Sequence, residues 1–254
     1  MHSSGYRNYN NPVVPSDLRV VMMPAAAALA LGYGVAAAVV GGTRSWRPWP
    51  LVAFAAGGIA FPLTVFLTSS IQVLLASVLG WGPDAIAMTL GPGIAGAVVT
   101  AVVNEVFTLA AALIVWRWSR GGTLLGFGAA AGAGFAVVGA YEIIHLALIA
   151  RALPISSASS FAVSLVQQLA FVAANSASTA LAAFGALGRR AGFYLGAAVL
   201  FQVLFLVFGL LFELRVYSNM VWTVLDVAAA VALVAGVLIL GRRRPASAAL
   251  APAA

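Results

Sequence analysis

Glu142 and His145 stand one helical turn apart inside the apolar run 128–145, GAAAGAGFAVVGAYEIIH. Gly128, Gly132, Phe135, Gly139, Glu142 and His145 recur every three or four residues, so as a helix they share one face. Lipid rejects ionisable side chains, so that face must look into a protein interior. A Glu-x-x-His spacing also occurs in carboxylate-bridged metal sites of helical bundles. Here the donor set is too small for one. The chain has two histidines, one of them His2, and no cysteine, whereas a zinc or di-iron site wants more ligands. No metal and no cofactor are therefore expected, and the plainer reading pairs His145 with Glu142 near the outer membrane surface, beside Arg151.

Glu105 is the acid best placed for catalysis. It lies deep in the run 90–116, where a carboxylate is costly to hold and needs polar company. A poised carboxyl can serve as general base, drawing a proton from water as that water attacks a carbonyl. Asn175, in the run 157–187, could then donate to the developing oxyanion. The competing reading makes Glu105 a packing contact, hydrogen-bonded to Asn104, Asn175 or Gln202. Asp226 reads the same way, as a hydrogen-bonded helix contact. Ser–His–Asp chemistry fits poorly, because Ser176 and Ser178 sit well away from the one intramembrane histidine.

The elements that position these residues follow from composition. Of 254 residues, 63% are hydrophobic and 7% charged, and mean hydropathy is +1.06. A water-soluble domain needs more polar surface than this, so the solvent is a lipid bilayer, crossed by ~20 apolar residues at a time. The fold class is all-α: a polytopic transmembrane helix bundle of about seven spans, drawn at 21–41, 51–80, 90–116, 122–150, 157–187, 192–216 and 219–241. Residues 1–20 form a polar N-terminal tail, 21–241 a single transmembrane domain, and 242–254 a disordered basic, Ala- and Pro-rich tail. Pro62 is expected to kink the second span, and Gly91-Pro92-Gly93 to mark a helix start.

All thirteen basic residues are arginines. They read as topology determinants and not as a nucleic-acid surface. Arg44, Arg47, Arg117, Arg120, Arg189, Arg190 and Arg242 to Arg244 fall on one side of the seven-span layout. Arg7, Arg19, Arg151 and Arg215 fall on the other. That bias puts the N-terminus outside and the C-terminus in the cytoplasm.

Polar residues concentrate on spans three to five. Gly93, Ala97, Thr100, Asn104, Thr108 and Ala111 make one stripe. Ser160, Ser164, Gln167, Gln168, Phe171, Asn175, Ser178 and Thr179 make another. The stripes are expected to face one another, while spans one and six read as aliphatic walls. At 1.5 Å per residue, Glu105, Phe135 and Asn175 each lie ~18–20 Å from the cytoplasmic ends of their spans, with Gln202 and Asp226 near that depth. Glu142, His145, Gln167 and Gln168 form a layer on the order of 10–15 Å nearer the outside.

An acid on one span, a Gly-x-Gly-aromatic start on the next and a polar span after it resemble the YhfC-like intramembrane proteases. That family is related to the PrsW and CAAX-protease/bacteriocin-processing group. The resemblance covers roughly residues 90–187. It implies a helical enzyme of the bacterial plasma membrane that cuts peptide bonds with glutamate-activated water and no obligate metal. The family's Glu-Glu pair falls on Asn104-Glu105, and its next basic residue near Thr108. Gly132, Gly134 and Phe135 match the Gly-x-Gly-aromatic start. The following acid falls on Gly139, with Glu142 one turn beyond. The Glu-Arg pair falls on Gln167-Gln168, and the histidine on Asn175. Each replacement keeps the shape and removes a charge.

The leading expectation is a glutamic-type, protease-like membrane protein, catalytically degenerate or active, that cuts or binds a membrane peptide or protein. Glu105 would be the base and Asn175 the donor, with Glu142 and His145 at the entrance and Asn104, Phe135, Gln167 and Gln168 against the substrate. Two other classes compete: a small-solute transporter or substrate-binding membrane subunit, whose polar residues would also lie at the midplane, and a non-catalytic scaffold that assembles other membrane proteins through small-residue faces. The lipid bilayer is a partner in all three.

Overall fold

The computed structural model describes residues 49–82, 85–119, 122–149, 158–214, 216 and 218–243. Residues 1–48, which hold the expected first span and N-terminal tail, lie outside the described residues, as do 244–254 of the C-terminal tail. The described residues form helices and no strands. In chain order these are α1 (Trp49–Leu79), α2 (Ala85–Met88), α3 (Leu90–Ser119), α4 (Leu124–Ile149), α5 (Ala158–Gly185), α6 (Ala191–Glu213) and α7 (Asn219–Arg243).

Four of them, α1, α3, α6 and α7, are long and apolar enough to cross a bilayer. That is an integral membrane helix bundle in contact with lipid, and it is fewer spans than the seven drawn from the sequence. The difference has two sources among the described residues. In α4 the helix runs to Ile149, but side chains are described only as far as Ala140, and Leu124–Ala140 alone is short for a span. In α5 the serines, glutamines and asparagine that line its inner face dilute the apolar character.

Local chemistry sets the helix ends. Gly80, at φ +67°, closes α1, and the Trp81 amide reaches back to the Ala76 carbonyl at 2.9 Å, the pattern of a glycine-terminated helix. Pro92 sits in the first turn of α3, where a missing N–H costs nothing. Pro62 lies inside α1, which continues through it.

The centre of the bundle is α4. From Phe127 to Val137 it is buried on all sides, mostly as alanine and glycine. It packs most extensively on α5 and α1, and α3 also lies against it. The α6 and α7 helices complete the bundle against α5, with α6 also packed on α3. Such proximity is possible only because side chains are missing where helices cross. A Cβ at Gly57 of α1 would strike the backbone carbonyl of Ala131 on α4, and one at Gly134 would strike that of Phe54. Across α4's other face, Gly128 and Gly132 meet the carbonyls of Thr179 and Asn175 in the same way. In lipid, where no apolar driving force separates inside from outside, this close contact is what holds helices together. From Gly128 to Gly139 the small-residue face is thus occupied by the bundle's own helices.

The α4 and α5 helices run antiparallel, because Gly128 sits by Ala183 and Gly139 by Phe171. Gly241 near the end of α7 lies by Leu125 at the start of α4. Consequently Arg117, Arg189, Arg190 and Arg242, all exposed, gather at one end of the bundle, as the sequence pattern requires.

Candidate functional site

The buried polar centre joins α3, α5 and α6. Glu105 is fully buried on α3, and Asn175, Ser178 and Thr179 are buried on α5. Between them comes Gln202 of α6, 7% exposed. Its Nε2 donates to Glu105 Oε1 at 2.8 Å, to Ser178 Oγ at 3.1 Å and to Asn175 Oδ1 at 3.2 Å. The Asn175 amide nitrogen donates in turn to the Phe171 carbonyl at 2.9 Å, and the Ser178 hydroxyl to the Asn175 carbonyl at 3.1 Å. Thr179 donates to Thr108 Oγ1 at 3.2 Å, and Thr108 to the Asn104 carbonyl at 2.7 Å. The second oxygen of the carboxyl, Glu105 Oε2, is buried with no hydrogen-bond donor among the described residues.

Local sequence explains this placement. Ala101, Glu105, Thr108 and Ala112 form the buried ridge of α3 at helical spacing. Asn175, Ser178 and Thr179 do the same on α5. Gln202 interrupts a run of aliphatic and aromatic residues in α6, whose lipid side carries the exposed Leu200 and Leu204. The sixth span is thus a wall on one face only, since its single buried amide is the hub of the network. The depth calculation placed Gln202 at the level of Glu105 and Asn175. What the sequence did not single out was that one nitrogen would serve all three oxygens.

Beside the network is a cleft of about 20 Å³, lined by Asn104, Phe171, Asn175, Phe201, Gln202 and Phe205, among others. It has room for roughly one water molecule. Asn175 and Gln202 border both the cleft and the network, whereas Glu105 lies behind Gln202 and does not line the cleft.

The other candidates are dispersed. Phe135 is 1% exposed and packs edge-on against Phe61 of α1, with ring centres 5.2 Å apart. It therefore fills the core between α1 and α4 and presents no surface to a substrate. Gln167 donates to Thr223 Oγ1 of α7 at 2.9 Å, tying α5 to α7. Gln168 is half-buried, with Oε1 lacking a partner among the described residues. Glu142 and His145 belong to α4 by backbone, and their side chains lie outside the described residues. Asp226 of α7 is 1% exposed, yet Oδ1 has no partner among the described residues. Among the described residues no hydrogen bond to Oδ1 makes the expected helix contact. Next to it in the sequence, Val227 packs against the apolar cluster of Ala170, Ala174 and Ala230.

Among the described residues no group of three or more histidine, aspartate, glutamate or cysteine side chains could hold a metal ion. No protein-family model, curated protein or solved structure matches this chain. The chemistry has to be read from the geometry alone. That geometry shows a carboxyl closed over by an amide of its own bundle, with a water-sized cleft on the amide's far side.

Proposed function

We propose that this chain is a non-catalytic, protease-like integral membrane protein that binds a membrane segment without cleaving it. The observation that supports this reading is the Gln202 amide lying across Glu105. A general base must reach the water it activates, and this carboxyl has no exposed surface. A peptide substrate also needs far more room than one water, since ligand sites typically enclose about 300–1,000 Å³. The charges missing from the YhfC-like pattern at Asn104, Gln167, Gln168 and Asn175 agree with a fold that has kept its shape and dropped its chemistry.

A binding role has a surface available. Unlike the glycines of α4, Gly192 and Gly196 of α6 are exposed, and a Cβ at either would meet nothing within 4 Å. Two glycines one turn apart on a lipid-facing helix let a second helix approach closely. In this reading the bundle is the seven-span domain 21–241 in a bacterial plasma membrane, with the arginine-bearing end in the cytoplasm.

The deciding experiment compares the wild type with Glu105→Gln, reconstituted in vesicles with fluorogenic membrane peptides. Equal, background-level cleavage is expected from both. Turnover by the wild type that Glu105→Gln abolishes would overturn the non-catalytic reading and restore Glu105 as base.

A further inference from the structure

Four side-chain oxygens in the polar centre face too few hydrogens. Glu105 Oε1, Ser178 Oγ and Asn175 Oδ1 converge on one atom, Gln202 Nε2, at 2.8, 3.1 and 3.2 Å. A primary amide carries two hydrogens. Neither neighbour can make up the shortfall. The Ser178 hydroxyl proton is directed at the Asn175 carbonyl, and the Asn175 amide nitrogen at the Phe171 carbonyl. Glu105 Oε2 is the fourth oxygen, buried and without a donor among the described residues. The Thr179 hydroxyl is also committed, to Thr108. No described arginine or histidine is hydrogen-bonded to the carboxyl, whose one directed donor is Gln202, with the Ser178 and Thr179 hydroxyls close by. An acceptor-rich, fully buried cluster with one carboxylate lacks positive charge, and burial makes that lack expensive.

We infer that this cluster is a binding site for one small monovalent cation of the sodium type, held by Glu105, Asn175 and Ser178. Hard cations take oxygen ligands, and carboxylate, amide carbonyl and hydroxyl oxygens are what the site offers. A single carboxylate balances a single charge, whereas calcium or magnesium would call for more acidic oxygens than are present. Gln202 is the exchangeable element. Its terminal amide presents nitrogen or oxygen by a half-turn, two nearly isosteric states. With Nε2 inward, the amide itself bridges the oxygens, which is the arrangement observed. With Oε1 inward, the same side chain becomes a fourth protein ligand to the ion. The adjoining cleft of about 20 Å³, on the amide's far side, gives the side chain room for that turn. The inference uses the same network as the functional reading above, but it stands whether or not the chain hydrolyses peptides.

Purified full-length protein is unfolded thermally in sodium chloride and in choline chloride at matched ionic strength, with potassium chloride as a third arm. The wild-type midpoint should rise by about 3–5 °C when sodium is at tenfold excess over its dissociation constant. Potassium should raise it less. Glu105→Gln, which brings two hydrogens into the cluster and removes the charge, should show no sodium dependence. Equal wild-type midpoints in sodium and choline overturn the site, and so does an equal sodium shift in wild type and variant. Should the variant not fold, equilibrium dialysis of the wild type with radiolabelled sodium decides. About one saturable ion per chain supports the proposal, and no saturable binding overturns it. A cleavage assay is not needed for any arm, so failure here is distinguishable from failure of the non-catalytic reading.

Discussion

Gln202 of α6 donates to Glu105 of α3 at 2.8 Å across 97 positions of sequence, and the same nitrogen reaches Asn175 and Ser178 of α5. One side chain thereby joins three helices around a buried carboxyl. In a bilayer each unmet polar group is costly, so such a hub fixes helix register as well as contributing energy.

Gln202→Leu should destabilise the bundle by about 1–3 kcal/mol, because it leaves several buried oxygens without a donor. Adding Glu105→Leu should recover part of that loss, since both partners are then apolar. A double-mutant cycle on unfolding in mixed micelles measures the coupling. Additive losses would mean that the two side chains do not interact.

Gly57→Ala and Gly134→Ala test the crossing of α1 and α4. Each new methyl meets a backbone carbonyl that cannot rotate away. A cost of roughly 1–3 kcal/mol is expected for each, from forced separation of the helices. Gly192→Ala, which faces open space on α6, should change folding stability by no more than about 0.5 kcal/mol. Thermal melts of the three variants make the comparison, and a Gly192→Ala loss equal to the other two would contradict the packing assignment.

Gln72 is a smaller clamp of the same kind. Its Nε2 donates to the Gly96 carbonyl and to Thr100 Oγ1, both at 3.2 Å, linking α1 to α3. Interhelical hydrogen bonds in lipid average about 0.6 kcal/mol. Gln72→Leu should therefore lower stability by about that amount, well short of the Gln202→Leu effect. Denaturation of both variants in the same detergent gives the ranking.

Asp226 presents the opposite situation, a buried carboxyl with an unpartnered oxygen. Asp226→Asn removes the charge and keeps the size. It should raise the thermal midpoint by about 2–4 °C, the equivalent of roughly 1 kcal/mol in a chain of this length. A lowered midpoint would reveal a partner for Asp226 that the described residues do not include.

Much of this molecule was legible in its sequence, because a bilayer imposes simple rules. Long apolar runs, arginine clusters at alternate connections and the 3.6-residue period located the six long described helices to within a few residues, missed the short α2, and put Arg117, Arg189, Arg190 and Arg242 at one end. The same period placed Asn175 on an inward face and Glu105 at the edge of one. Helix faces and depths are local quantities, fixed by residue order and rise per residue. Partner choice is not local. Whether Glu105 would look into a wet pocket or be covered depended on the azimuth of α6, and one glutamine in an apolar helix says little about that. The closeness of α1 and α4 depended on Gly57 and Gly134 falling at the same crossing point, a coincidence between residues 77 positions apart by their numbers. Sequence thus determined that this chain is a membrane bundle with an acid at its centre. Only the tertiary structure decided that the acid is held under an amide, because that outcome depends on how helices distant in the chain are rotated against one another.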